Sequence, residues 1–477
     1  MKVRTRFAPS PTGFMHVGSL RTGLFCYLLA RHFDGDFILR IEDTDQKREV
    51  EGSIGHILKT FKILGLNYDE GPDIGGPYGP YQQSQRLDIY REWAIKLLEQ
   101  GRAYPDTTSP EELEHLRDRA KALKKPFLFR EHRPEISKDW DGKTPLRFLS
   151  QPKSYSWDDA VMGKMHSGEE VIDDFIILKA DGFPTYNFAH IIDDKLMEIT
   201  HVIRAQEFLA SVPKFLNLYE ALGFDVPVLA TVPPILGPDG KKKLSKRDGA
   251  KDILDYVRDG YIKEGLINFM ASLGWNDGTE QEVFSLDELI DKFSLDHIQR
   301  SGANFDERRL LWMDGAHIRQ LDLEDLSNRA EEFWPKSADK ADKDYKLSVL
   351  RLVQERLKYL SELPALSDFF FQDLPYNPDL IDTNKQLKKY SREDLIKWLK
   401  EVVNSLKASD FSVADLESRL NDLMSQLVLK PGELFSLVRI ATTQSPASPG
   451  LFDTLNILGK ELSLKRIEEE IRLLNEN

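Results

Sequence analysis

Along the chain the spacing of apolar residues changes period several times, and each change marks an element. Residues 3–8 read as a first strand, and Pro9-Ser10-Pro11-Thr12-Gly13 as the turn that ends it. A helical pattern starts near 16–18 and runs to about 32, and a second strand follows at 37–41. Ile54, Ile57, Leu58, Phe61 and Leu64 then fall at helical spacing. Strand, turn, helix, strand, helix is the opening of an α/β nucleotide-binding fold. Residues 105–185 differ: a charged helical stretch at 110–125 gives way to short strand-like runs at 146–149 and 175–178, the pattern of a domain inserted into the first fold. Apolar α/β character returns near Tyr186 and lasts to about Ile235. Residues 252–319 are mainly helical, and helices predicted at 347–362, 392–406, 413–427 and 462–474 carry the pattern to the end. The chain has no internal repeat and no low-complexity tract.

Composition narrows the class. The 477 residues suggest roughly three domains of about 150 residues each. Such a length can bury a large core without disulfides or metals. Hydrophobic residues at 41% and charged residues at 30% describe a soluble globular protein. The single cysteine, Cys26, falls in an apolar helical pattern and reads as a buried, inert thiol. One cysteine cannot build a cysteine-based zinc site. No charged-then-apolar leader and no membrane-length apolar run are found, so a reducing cytoplasm is expected and a membrane role is not. A net charge of −14 argues against a general nucleic-acid binder, and no DNA partner is expected. It leaves room for one specific RNA steered by local basic surface.

Two segments carry candidate chemistry. The first is Pro9-Ser10-Pro11-Thr12-Gly13-Phe14-Met15-His16-Val17-Gly18-Ser19. A helix start after a strand presents free N–H groups and a positive dipole end, which suit phosphate. Gly18 has no Cβ and admits an adenine or ribose to the backbone. His16 is placed to donate to a phosphate oxygen. Taken alone, the same residues also fit a turn with a capping histidine. The second is Asp239-Gly240-Lys241-Lys242-Lys243-Leu244-Ser245-Lys246-Arg247, which reads as a mobile basic loop able to reach a triphosphate, or as a solvated charge run. It does not match the G-x-x-x-x-G-K-[ST] loop, which disfavours an ordinary P-loop ATPase.

Together the two segments resemble the paired HIGH and KMSKS signatures of class I aminoacyl-tRNA synthetases, here as His16-Val17-Gly18-Ser19 and Lys243-Leu244-Ser245-Lys246-Arg247. The residues 4–13, Arg40-Ile41-Glu42-Asp43-Thr44-Asp45, 182–189 and His201-Val202-Ile203-Arg204 are similar to those of the bacterial-type glutamyl-tRNA synthetase family, and the likeness extends over nearly the whole chain. It implies a Rossmann-like parallel-sheet catalytic domain in two halves (1–104 and 186–250), an inserted α+β domain for the acceptor end (105–185), a stem-contact domain (251–320) and an all-α anticodon-binding region (321–477). The glutaminyl relatives have β-barrel C-terminal parts, and the helical pattern here disfavours them.

The implied activity is a ligase reaction. ATP activates L-glutamate to glutamyl-adenylate, and the glutamyl group passes to the 3′-terminal adenosine of glutamate tRNA. The attacking carboxylate is already ionised, so no general base is needed. Catalysis is alignment plus charge stabilisation. Pro9, Thr12, Gly13, His16, Gly18, Lys243, Ser245 and Lys246 would hold ATP; of these His16, Gly18, Lys243 and Lys246 would act in catalysis, with Mg²⁺ carried on the phosphates and no metal held by the protein. Lys246 would act mainly in the transition state. Arg6 and Arg204 would read the glutamate side-chain carboxylate, since a buried cation facing a neutral amide is left unpaired. Either arginine could instead serve a structural ion pair. Glu42 would take the ammonium, Ser10 and Tyr186 would add hydrogen bonds, Ala8 would line the pocket, and His190 is a further candidate.

Many members of this family begin a zinc site in the inserted domain with Cys-x-Cys. The matching stretch here, Tyr104-Pro105-Asp106-Thr107-Thr108, lacks cysteine, so no structural zinc is expected. Residues 124–130 also depart from the usual pattern. Arg356 matches a position where arginine can read the last anticodon base, or it is a surface charge with local salt bridges. On it depends whether glutamine tRNA is charged as well. A tRNA requirement for activation and a monomeric state are expected. The competing readings are a small-molecule nucleotidylyltransferase, a truncated relative that glutamylates a modified tRNA base, and a non-catalytic RNA-binding descendant. The long helical half opposes the first two, and intact signatures oppose the third.

Overall fold

The computed structural model describes residues 2–244, 251–445 and 448–476. The chain divides into two compact units, Met1–Tyr256 with Leu266–Glu307, and Val257–Gly265 with Arg308–Asn477.

The first unit holds all eleven described strands: β1 (Arg4–Phe7), β2 (Asp36–Leu39), β3 (Ala103–Pro105), β4 (Leu146–Phe148), β5 (Tyr155–Asp159), β6 (Gly163–Ser167), β7 (Phe175–Leu178), β8 (His201–Ala205), β9 (Val228–Val232), β10 (Ile235–Leu236) and β11 (Ala303–Asn304). The helices that bear on the site are α1 (Val17–His32), α2 (Ser53–Leu64), α3 (Leu87–Glu99), α4 (Pro110–Ala122), α5 (Tyr186–Leu196) and α6 (Val212–Leu222). The main sheet runs β2-β1-β8-β9-β5-β6. Its first four strands are mutually parallel, with Thr5 opposite His201 and Ile203 opposite Ala230. From β1 the chain passes to β2 on one side, and β8 returns on the other. Strand order therefore reverses beside β1, and in open α/β sheets ligands bind at the carboxyl ends of strands at such a point.

A central parallel strand is buried on both faces, and every residue of β1 is buried although two of the four are arginines. Counter-charges make this possible. Arg4 pairs with Asp36 at 2.7 Å and Glu70 at 2.8 Å, and Arg6 with Asp194 at 3.0 Å. Helix α1 is buried around most of its circumference, including Leu20, Leu24, Phe25 and Leu28. Cys26 sits in this core, where burial pushes its thiol up to about 12.

Between residues 103 and 185 the chain contributes the antiparallel sheet β3-β4-β7 and the β5–β6 hairpin. The hairpin joins the main sheet through Asp159 opposite Leu229. Leu146, Phe148 and Ile177 share one core with Tyr90 and Leu97 of α3, Phe188 and Ile191 of α5, and Phe215 of α6. A polar knot lies beside it: Arg147 donates to Asp106 at 2.5 Å and lies 3.5 Å over the Phe129 ring, while Tyr104 (2.8 Å) and Arg133 (2.7 Å) converge on Asp174.

The second unit is helical. Its larger core packs Leu395, Leu399, Val402 and Leu406 of Arg392–Lys407 against Leu416, Leu420, Leu434, Leu437 and Ile467. Ser391 and Asp394 close a capping box at the start of that helix. The helix expected over 347–362 is found instead at Lys343–Gln354, followed by a short turn at Leu360–Glu362. It starts earlier because Asp342 caps it, and it stops because the next amides find other partners: Lys358 donates to the Glu362 carboxylate and Leu360 to the Gly260 carbonyl. No helix among the described residues is long and apolar enough to cross a membrane.

Candidate active site

A cleft of about 580 Å³ opens at the carboxyl ends of β1 and β8. Of the residues expected from sequence, Arg6, Ala8, Pro9, Ser10, Thr12, His16, Gly18, Glu42, Tyr186, Arg204 and Lys243 all line it. Gly13 is not among its lining residues, and His190 lies behind Tyr186 and Arg204 beside a smaller void. Ser245 and Lys246 lie outside the described residues. Arg356 belongs to the second unit.

The side of the cleft expected to take phosphate is built by the loop between β1 and α1. Backbone bonds fix it: Thr12 N donates to Ser10 O, Val50 N to Pro11 O and Glu42 N to Pro9 O, while Ser53 Oγ donates to Gly13 O at 2.6 Å. His16 is the N-cap of α1, and its Nδ1 accepts from the amides of Gly18 (3.1 Å) and Ser19 (3.4 Å). A nitrogen that accepts from amides carries no proton, so the neutral ring holds its proton on Nε2. Gly18 sits against that ring: a Cβ there would meet His16 Cε1 at 3.2 Å and Nδ1 at 3.3 Å. A side chain at position 18 would press on this ring, so the glycine leaves the histidine where it is.

Across the cleft, the chain from Ile235 to Leu244 is a hairpin. Leu236 bridges Lys243, and Leu244 N donates to Ile235 O. Its turn uses Gly240 at φ +66°, and Asp239 accepts the amides of Lys241 and Lys242. The basic segment expected to be mobile is thus hydrogen-bonded as far as it is described. Lys243 Nζ reaches Glu207 Oε2 at 2.6 Å, an exposed pair worth little in water.

The deeper end is a buried network of charges. Arg6 Nε meets Asp194 Oδ1, and its Nη1 donates to Ile203 O at 3.3 Å. Arg40, fully buried, donates to Glu42 Oε1 and forms an ion pair with Asp194 Oδ1, both at 2.9 Å. Asp193 collects Arg86 and Gln83 and the Tyr90 hydroxyl, each at 2.8 Å. Burial would raise the Asp194 carboxyl, but Arg6 and Arg40 hold it below its ordinary range. Glu42 remains above its ordinary value, because burial outweighs Arg40 and Arg6.

Arg204 differs from Arg6. It is buried, it lies over the rings of Phe215 (5.2 Å) and Phe208 (5.6 Å), and among the described residues no carboxylate pairs with it. Its Nε has no hydrogen-bond partner. The Tyr186 ring stacks on His190 at 4.8 Å, and His190 Nδ1 lies 2.7 Å from the Tyr186 carbonyl. Burial first, then the Arg204 charge, push His190 well below its usual range, so it is neutral. It donates from Nδ1 and keeps Nε2 as an acceptor.

Sequence reasoning passed over Asp193, Asp194, Arg40, Gln83 and Arg86. A signal was present for the two aspartates: they interrupt the apolar run of α5, next to Ile191 and Ile192, and such acids must have buried partners. Arg21, whose guanidinium donates to the carbonyls of Pro233 and Leu273, also lines the cleft without having been expected there.

The fold, the two signature segments and the charged cleft define a class I tRNA synthetase. The catalytic domain of class I tRNA synthetases (E and Q) matches residues 2–312, and an anticodon binding domain matches residues 325–471. The chain belongs to the glutamate–tRNA ligase family within that class. A glutamate–tRNA ligase of Clostridium botulinum is 44% identical over 477 residues, covering 98% of this chain and 97% of the relative. That of Clostridium kluyveri is 42% identical, covering 99% and 98%. A crystal structure of a glutamate tRNA ligase from Elizabethkingia meningosepticum, in complex with its amino acid, superposes with a TM-score of 0.88 at 33% identity, over 99% of this chain and all of that one.

Proposed function

We propose that this chain activates L-glutamate with ATP and transfers the glutamyl group to the 3′-terminal adenosine of glutamate tRNA, using the cleft between β1 and β8. The observation that carries the reading is Arg204, a buried guanidinium without an acidic partner among the described residues, at the deep end of a cleft whose mouth is a helix N-terminus. It suits a substrate with a side-chain carboxylate at one end and a reactive carboxylate near the phosphates.

In this reading the glutamate γ-carboxylate pairs with Arg204, which can bind it through two N–H groups. Arg6, already committed to Asp194 and Ile203, offers its remaining N–H and a positive field. Glu42 faces the ammonium, its orientation fixed by Arg40. Tyr186, Ser10 and Ala8 complete the wall, and His190 sets the Tyr186 ring. The α-carboxylate attacks the α-phosphorus of ATP, a new C–O–P linkage forms, and the bond to pyrophosphate breaks. His16 Nε2–H, the α1 amides and Lys243 stabilise the phosphoryl oxygens, with Pro9, Thr12 and Gly13 shaping the nucleotide side and Ser245 and Lys246 acting on the leaving group. Magnesium enters on the nucleotide phosphates and neutralises their charge. Among the described residues no cluster of three His, Cys, Asp or Glu side chains could hold a metal of its own, and the Asp106–Arg147 and Tyr104–Asp174–Arg133 bonds tie the inserted sheet. In the second step a ribose hydroxyl, by class the 2′-OH, attacks the activated carbonyl and AMP leaves.

The helical unit takes the anticodon. Arg356 is exposed, and the half-buried Arg439 loses its proton more readily than an ordinary arginine, first through burial and then through the Arg356 charge. Two guanidinium groups near each other favour a polyanion. We read Arg356 as the discriminator of the last anticodon base, the chain as a cytoplasmic monomer, and tRNA as a requirement for activation. The test is ATP–pyrophosphate exchange with glutamate or glutamine, with and without glutamate tRNA. Exchange with glutamate and tRNA together supports the reading. Absence of exchange from folded protein under every condition overturns it.

A further inference from the structure

We propose that His56 is a positioning residue for the activation step, holding the Phe14–His16 segment so that His16 stays at the mouth of the cleft. The inference rests on the role given above to His16. His56 lies on α2, outside both signature segments, and its imidazole does not line the cleft. Its Nδ1 accepts the Met15 amide at 3.3 Å. The proton of the neutral ring is then on Nε2, which faces Asp252 Oδ1 at 3.3 Å. Asp252 is in turn fixed, because the same Oδ1 accepts the Asp255 amide at 3.0 Å, at the start of the helix Ile253–Arg258. The Phe14 ring stacks on the imidazole with centroids 4.6 Å apart and planes 11° apart.

The two chains joined by this imidazole are also paired through their backbones. His16 bridges Asp252 in antiparallel register, and Ile253 N donates to Met15 O at 3.0 Å. Met15 thus has both backbone groups engaged, one by His56 and one by Ile253, immediately before the N-cap. The direction from which a chain enters a helix fixes the N-cap dihedrals, and those place the His16 ring over the amides of Gly18 and Ser19. Met15 itself is buried, so its amide without His56 loses its only hydrogen-bond acceptor among the described residues, in a place water does not readily reach. The segment would shift to satisfy it, and His16 would shift with it. Misplacement of a catalytic group on the order of 1 Å costs up to about a hundredfold in rate.

The test compares H56A, H56N, H56Q and H16A, with the double variant H16A/H56A, in ATP–pyrophosphate exchange with glutamate and glutamate tRNA. The expected result for H56A is a fall in kcat of about tenfold or more, with KM for ATP and for glutamate within about twofold. H56N, whose amide oxygen can take the Met15 N–H, recovers most of kcat. H56Q, which reaches Asp252 instead, does not. Because His56 acts through His16, H16A/H56A is no slower than H16A. Wild-type kcat in folded H56A overturns the inference, and so does a loss that multiplies fully with that of H16A. If H56A is unfolded by circular dichroism, H56N against H56Q decides: equal rates overturn the proposal. If H16A alone retains wild-type exchange, the role of His16 fails and this inference falls with it. Exchange by the wild-type chain tests the ligase reading separately.

Discussion

Two arginines at one site need not do the same work. Arg6 is neutralised by Asp194, whereas Arg204 lies over the Phe208 and Phe215 rings and among the described residues meets no carboxylate. Removing the partner of a buried charge costs about 2–5 kcal/mol, so R204Q should lower kcat/KM for glutamate about a hundredfold or more. R204K should recover little, since an ammonium lacks the fork. Steady-state exchange at varied glutamate measures both. Substitution with wild-type kcat/KM would move the carboxylate reading to Arg6. At the same scale His190 makes a pH prediction. Its folded-state affinity for protons is depressed by burial and by Arg204, while unfolded histidine titrates near about 6.5. Stability from the neutral ring is therefore complete above that value and falls as pH drops below it, by about 1.4 kcal/mol per pH unit for each such histidine. His201, also depressed by burial, adds to the slope. Urea unfolding at pH 7.5 and 5.5 should show H190N less acid-sensitive than the parent; equal sensitivity would reject the assignment.

Elements show where sequence reasoning succeeds. The strand at 3–8, the helix from 16–18 to 32 and the amphipathic helix ending at Leu64 were legible because each has a consistent period and a boundary signal. The aspartates of α5 were not, because their partners lie 103 to 188 residues away in the chain and local patterning carries no such information. The helix predicted at 347–362 failed for the same reason: Leu360 bonds to Gly260, a partner no window of that length contains. The inserted sheet makes a prediction of its own. With Arg147 on Asp106 and Arg133 and Tyr104 on Asp174, a zinc chelator such as 1,10-phenanthroline should leave Tm unchanged, whereas D174N should lower it, by about 3–5 kcal/mol of stability for a buried charge left unpaired. A chelator-induced fall in Tm would place a metal there after all.

For the whole molecule, catalytic cleft and anticodon region belong to separate compact units, so selection of amino acid and selection of tRNA can be changed independently. R356Q should leave exchange in the presence of saturating glutamate tRNA within about twofold, because Arg356 is not part of the unit that holds the cleft. Its effect should appear in the ratio of charging of glutamate tRNA to glutamine tRNA, which should fall several-fold if the enzyme discriminates. One base contact of this kind is worth about 1–3 kcal/mol. An unchanged ratio would return Arg356 to the solvated surface.

The first strand of the catalytic sheet is laid beside a strand made much later: Arg4 bonds to Thr200, 196 residues onward. At about 5–20 residues per second on the ribosome, β1 therefore waits roughly 10–40 seconds with one edge covered by β2 and the other bare. An apolar strand left so long would invite pairing with other nascent chains. Arg4 and Arg6, which the finished core must neutralise with Asp36, Glu70 and Asp194, are charges that keep this orphan edge in water until β8 emerges. Of these two charges Arg6 also lines the cleft, so a residue of the finished site is one that disfavours stray pairing of the nascent strand.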